Sequence, residues 1–308
     1  MTAYDVIALG EPLVEVATGE PFAHGVPATL GVSGDVVNAA AAAAAAGASV
    51  AIIARVATGE LGDAVVARIR ALGIDDALVQ RVRGQQGVYL LHSDPSGQRQ
   101  FSYARAGSVG STLSPADLDA DVLAAAGAVL ASGITTALST SAHDAVIAAA
   151  KLASRFVYDP NFRPRLTTSA AAAAALAEVA PLATLLTPSA PAETGALLGT
   201  GDPAEAVLKL RELGAGAVAV TCGDRGVHLS PGTGPDRFQP AVPAPAVIDQ
   251  TGAGDVFAGT VTARIALGDT LDDAVRLGAA AASLAVGGQG GTGFIAGLQE
   301  VRTHAGAA

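Results

Sequence analysis

Across its 308 residues the chain has one cysteine, Cys222. A single thiol excludes an internal disulfide framework and any multi-cysteine metal site, and it reads as a small packed residue. The five histidines show no HExxH or comparable ligand spacing, so no zinc site is indicated. Positive charge is short: a net charge of −10 and a pI near 4.8 argue against non-specific attraction to nucleic acid or anionic lipid. An anionic substrate therefore needs local positive charge. Long apolar runs are missing too. Ala39 to Ala46 and Ala170 to Ala175 stop far short of the roughly 20 residues of a membrane span, and alanine's helix propensity makes both runs helices of a soluble protein. Met1-Thr2-Ala3-Tyr4-Asp5 lacks a basic stretch followed by an apolar one, so a cytoplasmic enzyme is expected. Aromatics are only 4%, and the 50% apolar fraction comes mostly from alanine, valine and leucine, which suits helices packed closely on a sheet. No linker or repeat interrupts residues 1–308, so one folded unit is the simplest organisation.

Strand and helix patterns alternate along most of that length. Val6 to Gly10 reads as a buried strand, the alanine run as a helix, Val50 to Ala54 as a strand, and Gly59 to about Gly73 as a helix: a parallel α/β sheet. The pattern resumes with strands at 129–133, 156–158, 185–188 and 217–221, and a return strand at 227–229. Helices are predicted from about 141 to 154 and from about 271 to 286. Two stretches break the pattern. Residues 11–33 are rich in Gly and Pro with weak alternation, and residues 86–107 hold two alternating segments around the turn signal Asp94-Pro95-Ser96-Gly97, which predicts a β-hairpin. Together they suggest a small antiparallel layer beside the sheet. Tyr89, Tyr103 and Arg105 are expected to project from the hairpin, as a ligand lid or as ordinary packing and solvated charge.

Three places carry chemistry. Thr251-Gly252-Ala253-Gly254-Asp255 leads from an extended segment into an apolar run of helical period, which puts Asp255 just inside a helix N-terminus. The glycines let backbone N–H groups converge, and the helix end favours an anion there, although an ordinary Gly-rich turn has the same letters. Asp35 and Asn38, three apart after Ser33-Gly34, share one face near a helix start, where they either hydrogen-bond a polyhydroxylated ligand or cap the helix. Asp159-Pro160-Asn161-Phe162-Arg163 crowds polar groups after a strand's carboxyl end, where open parallel sheets bind ligands. Arg163 suits a carboxylate or phosphate, with a salt bridge to Asp159 as the alternative.

These segments resemble the ribokinase/PfkB sugar kinases. Asp249-Gln250-Thr251-Gly252-Ala253-Gly254-Asp255 is similar to the family's C-terminal signature, and Ser33-Gly34-Asp35-Val36-Val37-Asn38-Ala39-Ala40 to its N-terminal one. Gly10-Glu11-Pro12-Leu13-Val14, Tyr89, Phe101 to Arg105, Ser132 to Thr135 and Asp159 to Arg163 are most like the 2-keto-3-deoxygluconate kinases. The resemblance implies a ribokinase-like three-layer sandwich, with a central mostly parallel sheet and a β-sheet lid from residues 11–33 and 86–107. It implies ATP and Mg²⁺ as cofactors, with Asp255 as catalytic base and Gly252, Ala253 and Gly254 as the anion hole. Gly34, Asp35, Asn38, Tyr89, Tyr103, Arg105 and Arg163 fall to the sugar or sugar acid. Ser189, Thr221, Gly223, Gly226, Thr251 and Gly254 fall to the nucleotide, Glu193 to Mg²⁺ through water, and Asp249 to a monovalent cation such as K⁺. A homodimer through the lid is allowed. The sequence departs from the family at Gln86, where Thr is frequent, at Ser189, where Asn is usual, and at Thr221, where Lys is frequent; the usual tryptophan is absent from Arg163-Pro164-Arg165-Leu166-Thr167. Asp255 is expected to titrate near an ordinary carboxylate and so to be ionised at neutral pH. The alternatives are another sugar or nucleoside kinase, such as a fructokinase or ribokinase, or a non-catalytic ligand sensor on the same fold.

Overall fold

The computed structural model describes residues 4–93 and 99–306. Its strands in chain order are β1 (Val6–Leu9), β2 (Leu13–Thr18), β3 (Thr29–Ser33), β4 (Val50–Ala57), β5 (Val79–Val82), β6 (Val88–Ser93), β7 (Arg99–Ala104), β8 (Ala128–Ser132), β9 (Phe156–Asp159), β10 (Leu185–Leu186), β11 (Ala217–Thr221), β12 (Gly226–Ser230) and β13 (Arg237–Pro240). Nine form the main sheet in the order β13-β12-β11-β10-β9-β8-β1-β4-β5 among the described residues. Every pairing from β11 through to β5 is parallel, and β12 and β13 turn back antiparallel at one edge.

Parallel strands covered on both faces read as unbroken apolar runs, and β1 is Val-Ile-Ala-Leu, buried throughout. Its side chains divide with period two. Ile7 and Leu9 join a cluster with Val129, Phe156 and Val146 of helix Thr140–Leu152, whereas Val6 and Ala8 pack with Ile52 and with Val37 of helix Asp35–Ala45. Helices therefore cover both faces, which makes three layers.

The two alanine runs are both helical for different reasons. In helix Asp35–Ala45 the residues from Val36 to Ala43 are buried, because this helix lies against helix Ala253–Ala266 at very short range. A Cβ at Gly259 would stand 2.0 Å from the Ala39 carbonyl oxygen, so only glycine fits there. Helix Ser169–Val179 buries only Leu176 and Val179, and its alanines act through helix propensity rather than packing. Among the described residues no helix is long and apolar enough to cross a membrane.

The irregular stretches form a second sheet of order β3-β2-β6-β7. β6 and β7 pair antiparallel with Tyr89 opposite Tyr103, as the hairpin pattern predicts. The turn at Asp94-Pro95-Ser96-Gly97 lies outside the described residues. One pairing departs from a purely antiparallel layer: β2 runs parallel to β6, because the chain crosses the main sheet between them. Short elements differ mainly at their ends. β10 is two residues long, and Thr187-Pro188 continues beyond it as loop because proline has no N–H for the ladder.

Candidate active site

The carboxyl ends of β1, β8 and β9 open onto a small cleft of about 20 Å³ whose lining includes Leu9, Asp35, Ser132, Asp159, Asn161 and Asp255. Asp255 sits in the first turn of helix Ala253–Ala266 and is buried. The helix enters through Gly252 in the left-handed conformation, φ 81°, where a Cβ would lie 2.9 Å from Gly291 Cα. No side chain caps this end; the Ala253 N–H donates weakly to the Gln250 carbonyl at 3.4 Å, which leaves the following N–H groups of the first turn for an anion. Gly254 has open space where a side chain would stand.

Two amides grip Asp255 from distant parts of the chain. Asn38 Nδ2 donates to Oδ2 at 2.8 Å, and Asn161 Nδ2 donates to Oδ1 at 2.9 Å. Asn38 is oriented by Ser33, whose hydroxyl donates to Asn38 Oδ1 at 3.2 Å. Asn161 stands at φ 41°, a left-handed conformation that asparagine tolerates, and its N–H donates to Asp159 Oδ1 at 3.2 Å. That turn carries its amide onto Asp255. Asp35 is bridged instead to Ser132, whose hydroxyl donates to Asp35 Oδ2. Ser132 also caps the helix that follows β8, since its Oγ accepts the Thr135 N–H.

The expectation of an ordinary carboxylate at Asp255 does not hold. Burial and then the nearby charge of Asp35 push its pKa up to about 6, against the opposing pull of Asn38, Arg163 and Asn161. Asp159 is raised as well, by burial and by the neighbouring carboxylates of Glu193 and Asp255. A sequence pattern cannot show this, because it arises from four acidic residues of separate elements converging.

Asp249 is buried in a brace: Oδ1 accepts the Thr251 N–H and Oδ2 the Gly290 N–H, each at 2.9 Å, which joins the two glycine loops around the helix entrance. Both oxygens of Glu193 also take backbone donors, from Phe162 at 2.6 Å and from Ser189 at 2.7 Å. This carboxylate ties the loop after β9 to the loop after β10. Among the described residues no set of three His, Cys, Asp or Glu side chains could hold a metal ion. Glu193, with both oxygens bonded to backbone N–H groups, would meet a nucleotide-bound Mg²⁺ only through water.

The other expected nucleotide residues gather past the ends of β10 and β11. Ser189 and Thr221 form a parallel bridge, with the Thr221 N–H donating to the Pro188 carbonyl at 2.9 Å. Gly223 and Gly226 both have positive φ, and a Cβ at Gly226 would lie 2.1 Å from the Gln239 carbonyl oxygen. Cys222, just ahead of Gly223, is buried, as expected of a small packed residue.

On the lid side, two of three expected projections turn inward. Tyr89 is buried, and its hydroxyl donates to Glu15. Arg105 is buried against Glu11. Only Tyr103 is exposed, its ring stacked beside Phe101. The lid strands cover these groups, which alternation within one hairpin does not reveal. Arg163 donates to the Phe162 carbonyl at 3.2 Å and is not in the salt bridge with Asp159 that was the alternative. Its neighbour Arg165 reaches the Phe101 carbonyl of β7, so this loop touches the lid. Gly34, φ 118°, precedes helix Asp35–Ala45 with no room for a side chain, since a Cβ would lie 2.8 Å from the Glu11 carbonyl oxygen. Asn161 and Ser132 are the site residues that sequence reasoning left without a role. Their signals were a place at or just after a strand's carboxyl end and membership of the segments that resemble the ketodeoxygluconate kinases.

Residues 4–295 match the model of the pfkB family carbohydrate kinases. The chain belongs to that family. It is 36% identical over 291 residues to the 2-dehydro-3-deoxygluconokinase of Thermoproteus tenax, a match that covers 92% of this chain and 89% of that one. Among solved structures, the 2-dehydro-3-deoxygluconokinase of Thermotoga maritima superposes with a TM-score of 0.86 at 22% identity, covering 98% of each chain. The fructokinase of Xylella fastidiosa, solved with bound ATP, gives a TM-score of 0.86 at 20% identity and the same coverage. The fold of this sugar kinase is the ribokinase fold of these neighbours.

Proposed function

We propose that this kinase transfers the γ-phosphoryl group of ATP to the primary hydroxyl of a sugar acid, 2-keto-3-deoxygluconate, giving its 6-phosphate and ADP. The observation that carries the reading is Asp255: a buried carboxylate at an uncapped helix N-terminus, gripped by Asn38 and Asn161. A base beside an anion hole is what in-line phosphoryl transfer to a hydroxyl requires. In this reading the substrate oxygen bonds to the γ-phosphorus as the bond to the β,γ-bridging oxygen breaks, and the substrate proton passes to Asp255. Backbone N–H groups of Gly252, Ala253 and Gly254 hold the transferring oxygens, that of Ala253 by giving up its weak bond to the Gln250 carbonyl, and Asp249 keeps that loop in place through Thr251. With a pKa of about 6, Asp255 is mostly ionised at neutral pH yet more basic than an exposed aspartate. Mg²⁺ bound with the nucleotide offsets phosphate charge. Ser189, Thr221, Gly223 and Gly226 line the nucleotide side.

Gly34, Asp35, Asn38, Tyr89, Tyr103, Arg105 and Arg163 serve the sugar. Two arginines supply the local positive charge that an acidic substrate needs in a chain of net charge −10. The relative from Thermoproteus tenax supports the choice of acid. A neutral sugar is the second reading, favoured by one observation: Arg105 is already compensated by Glu11. An ADP-release assay with Mg²⁺-ATP and a panel of sugar acids, neutral sugars and nucleosides tests both. Turnover with fructose or ribose and none with any sugar acid would sink the first reading, and binding without turnover would favour a sensor. Pairing of two copies through the small sheet, where Leu30 and Tyr103 are exposed, also belongs to this reading. A monomer in sedimentation velocity at assay concentration would remove it.

A further inference from the structure

The four places where the chain passes between the two sheets converge on one buried acidic residue. Glu11, between β1 and β2, is 1% exposed. Arg105, just after β7, donates to Glu11 Oε2 from Nε at 2.8 Å and from Nη2 at 2.5 Å, while the Ser108 hydroxyl donates to Oε1. The remaining crossings pack on the same residue. A Cβ at Gly87, ahead of β6, would lie 2.6 Å from Glu11 Oε1, and one at Gly34, after β3, would lie 2.8 Å from the Glu11 carbonyl oxygen. Gln86 closes the collar: its Nε2 donates to the Pro12 carbonyl at 2.7 Å, and its Oε1 accepts the Ala57 N–H at 3.1 Å.

A buried ion pair adds little net stability over apolar packing of similar volume, but it fixes geometry. Here Glu11 takes the Nε/Nη2 edge of the guanidinium, and Nη1 has no protein partner among the described residues. A planar fork held by one edge has its remaining donors aimed in a set direction. Burial raises the Glu11 carboxyl above its usual range, and Arg105 and Ser108 oppose that shift.

We propose that Glu11 is a positioning residue for the acidic end of the substrate: it holds Arg105 by one edge at the root of the small sheet and aims the free guanidinium donors at the sugar carboxylate. This rests on the reading that Arg105 meets a sugar acid. Without Glu11, Arg105 becomes an uncompensated buried charge and turns toward water. The transfer step at Asp255 is untouched.

Steady-state kinetics of Glu11→Gln, Arg105→Ala and the double variant, with sugar acid and ATP varied in turn, test the role. Glu11→Gln is expected to raise KM for the sugar acid about tenfold or more, the range of one charge-assisted hydrogen bond. Changes in kcat and in KM for ATP stay below about threefold, as for loss of binding alone. The double variant is worse than Arg105→Ala by no more than about twofold, because both residues act through one contact. A sugar-acid KM that stays level or falls in folded Glu11→Gln, or losses that multiply in the double variant, overturns the proposal. If circular dichroism finds Glu11→Gln unfolded, Ser108→Ala loosens the same carboxylate, and an unchanged KM there overturns it equally. Turnover of the sugar acid with an unaltered KM in Arg105→Ala removes Arg105 from the substrate. A raised KM in Arg105→Ala without one in Glu11→Gln removes only the role of Glu11.

Discussion

Asp255 is held by a balance of opposing effects. Burial and Asp35 favour its protonated form, while Asn38, Arg163 and Asn161 favour the carboxylate. Replacing it with Asn is expected to lower kcat at least about 10²-fold, the lower range for loss of a general base, with substrate binding largely kept. Near-normal turnover would take Asp255 out of the mechanism. On the proposed mechanism, in which ionised Asp255 takes the substrate proton, kcat/KM of the wild type should decline as pH falls through about 6. Asn161→Ala deletes a hydrogen bond that lowers the pKa, so its acidic limb should move to higher pH. Its ratio of activity at pH 6 to that at pH 8 should drop by about threefold or more below the wild-type ratio, the scale of one lost hydrogen bond. A limb that stays in place in that variant contradicts the assigned contact. The stability linkage has a definite sign too. A folded pKa above the ordinary aspartate value of about 3.9 stabilises the fold below that value, and the contribution is lost as pH rises through about 6.

Helix Ala253–Ala266 depends on two glycines with different duties. Gly252 supplies the left-handed entrance, so Gly252→Ala strains the backbone by about 1–3 kcal/mol and drives a methyl toward Gly291. Its expected signature is a kcat loss larger than its loss of unfolding free energy explains, because the N–H groups of the anion hole shift. Gly259 lets the helix touch helix Asp35–Ala45. Gly259→Ala is expected to destabilise by about 1–3 kcal/mol or more in urea unfolding, the cost of overpacking, as its methyl meets the Ala39 carbonyl. Pushing these helices apart also separates Asn38 from Asp255, so kcat should fall with stability. An unchanged urea midpoint would show that the two helices are not in close contact.

At the scale of the whole molecule, the small sheet and the catalytic end are joined at several places, Ser33 to Asn38 among them, and two bear on the sugar side. One is the collar around Glu11, and the other is Arg165, whose guanidinium donates to the Phe101 carbonyl of β7. Arg165→Ala should loosen the lid over the cleft and raise the sugar KM by roughly threefold to tenfold with little change in KM for ATP, as expected when a binding element must be ordered anew. Equal effects on both substrates would mean that the latch serves the whole cleft. The layer order was legible at this scale: apolar strands alternating with helical patterns predict a parallel sheet, and one Gly- and Pro-rich stretch with one hairpin pattern marks the smaller one. The inward turn of Tyr89 and Arg105 was not legible, because their partners, Glu15 of β2 and Glu11, lie 74 and 94 residues away in the sequence.

The sequence by itself determined which elements form and where a glycine-flanked helix start with its aspartate lies, since periodicity, glycine conformation and helix-end electrostatics are local. It also carried the family, through two signatures at opposite ends of the chain. Only the tertiary structure decided what each polar residue is bonded to. Gln86 serves as a backbone clamp, Glu193 and Asp249 as braces between loops, and Asp255 as a carboxylate raised to about 6. Those outcomes depend on burial and on charges brought together from distant segments, and Coulomb and desolvation energies act through space rather than along the chain.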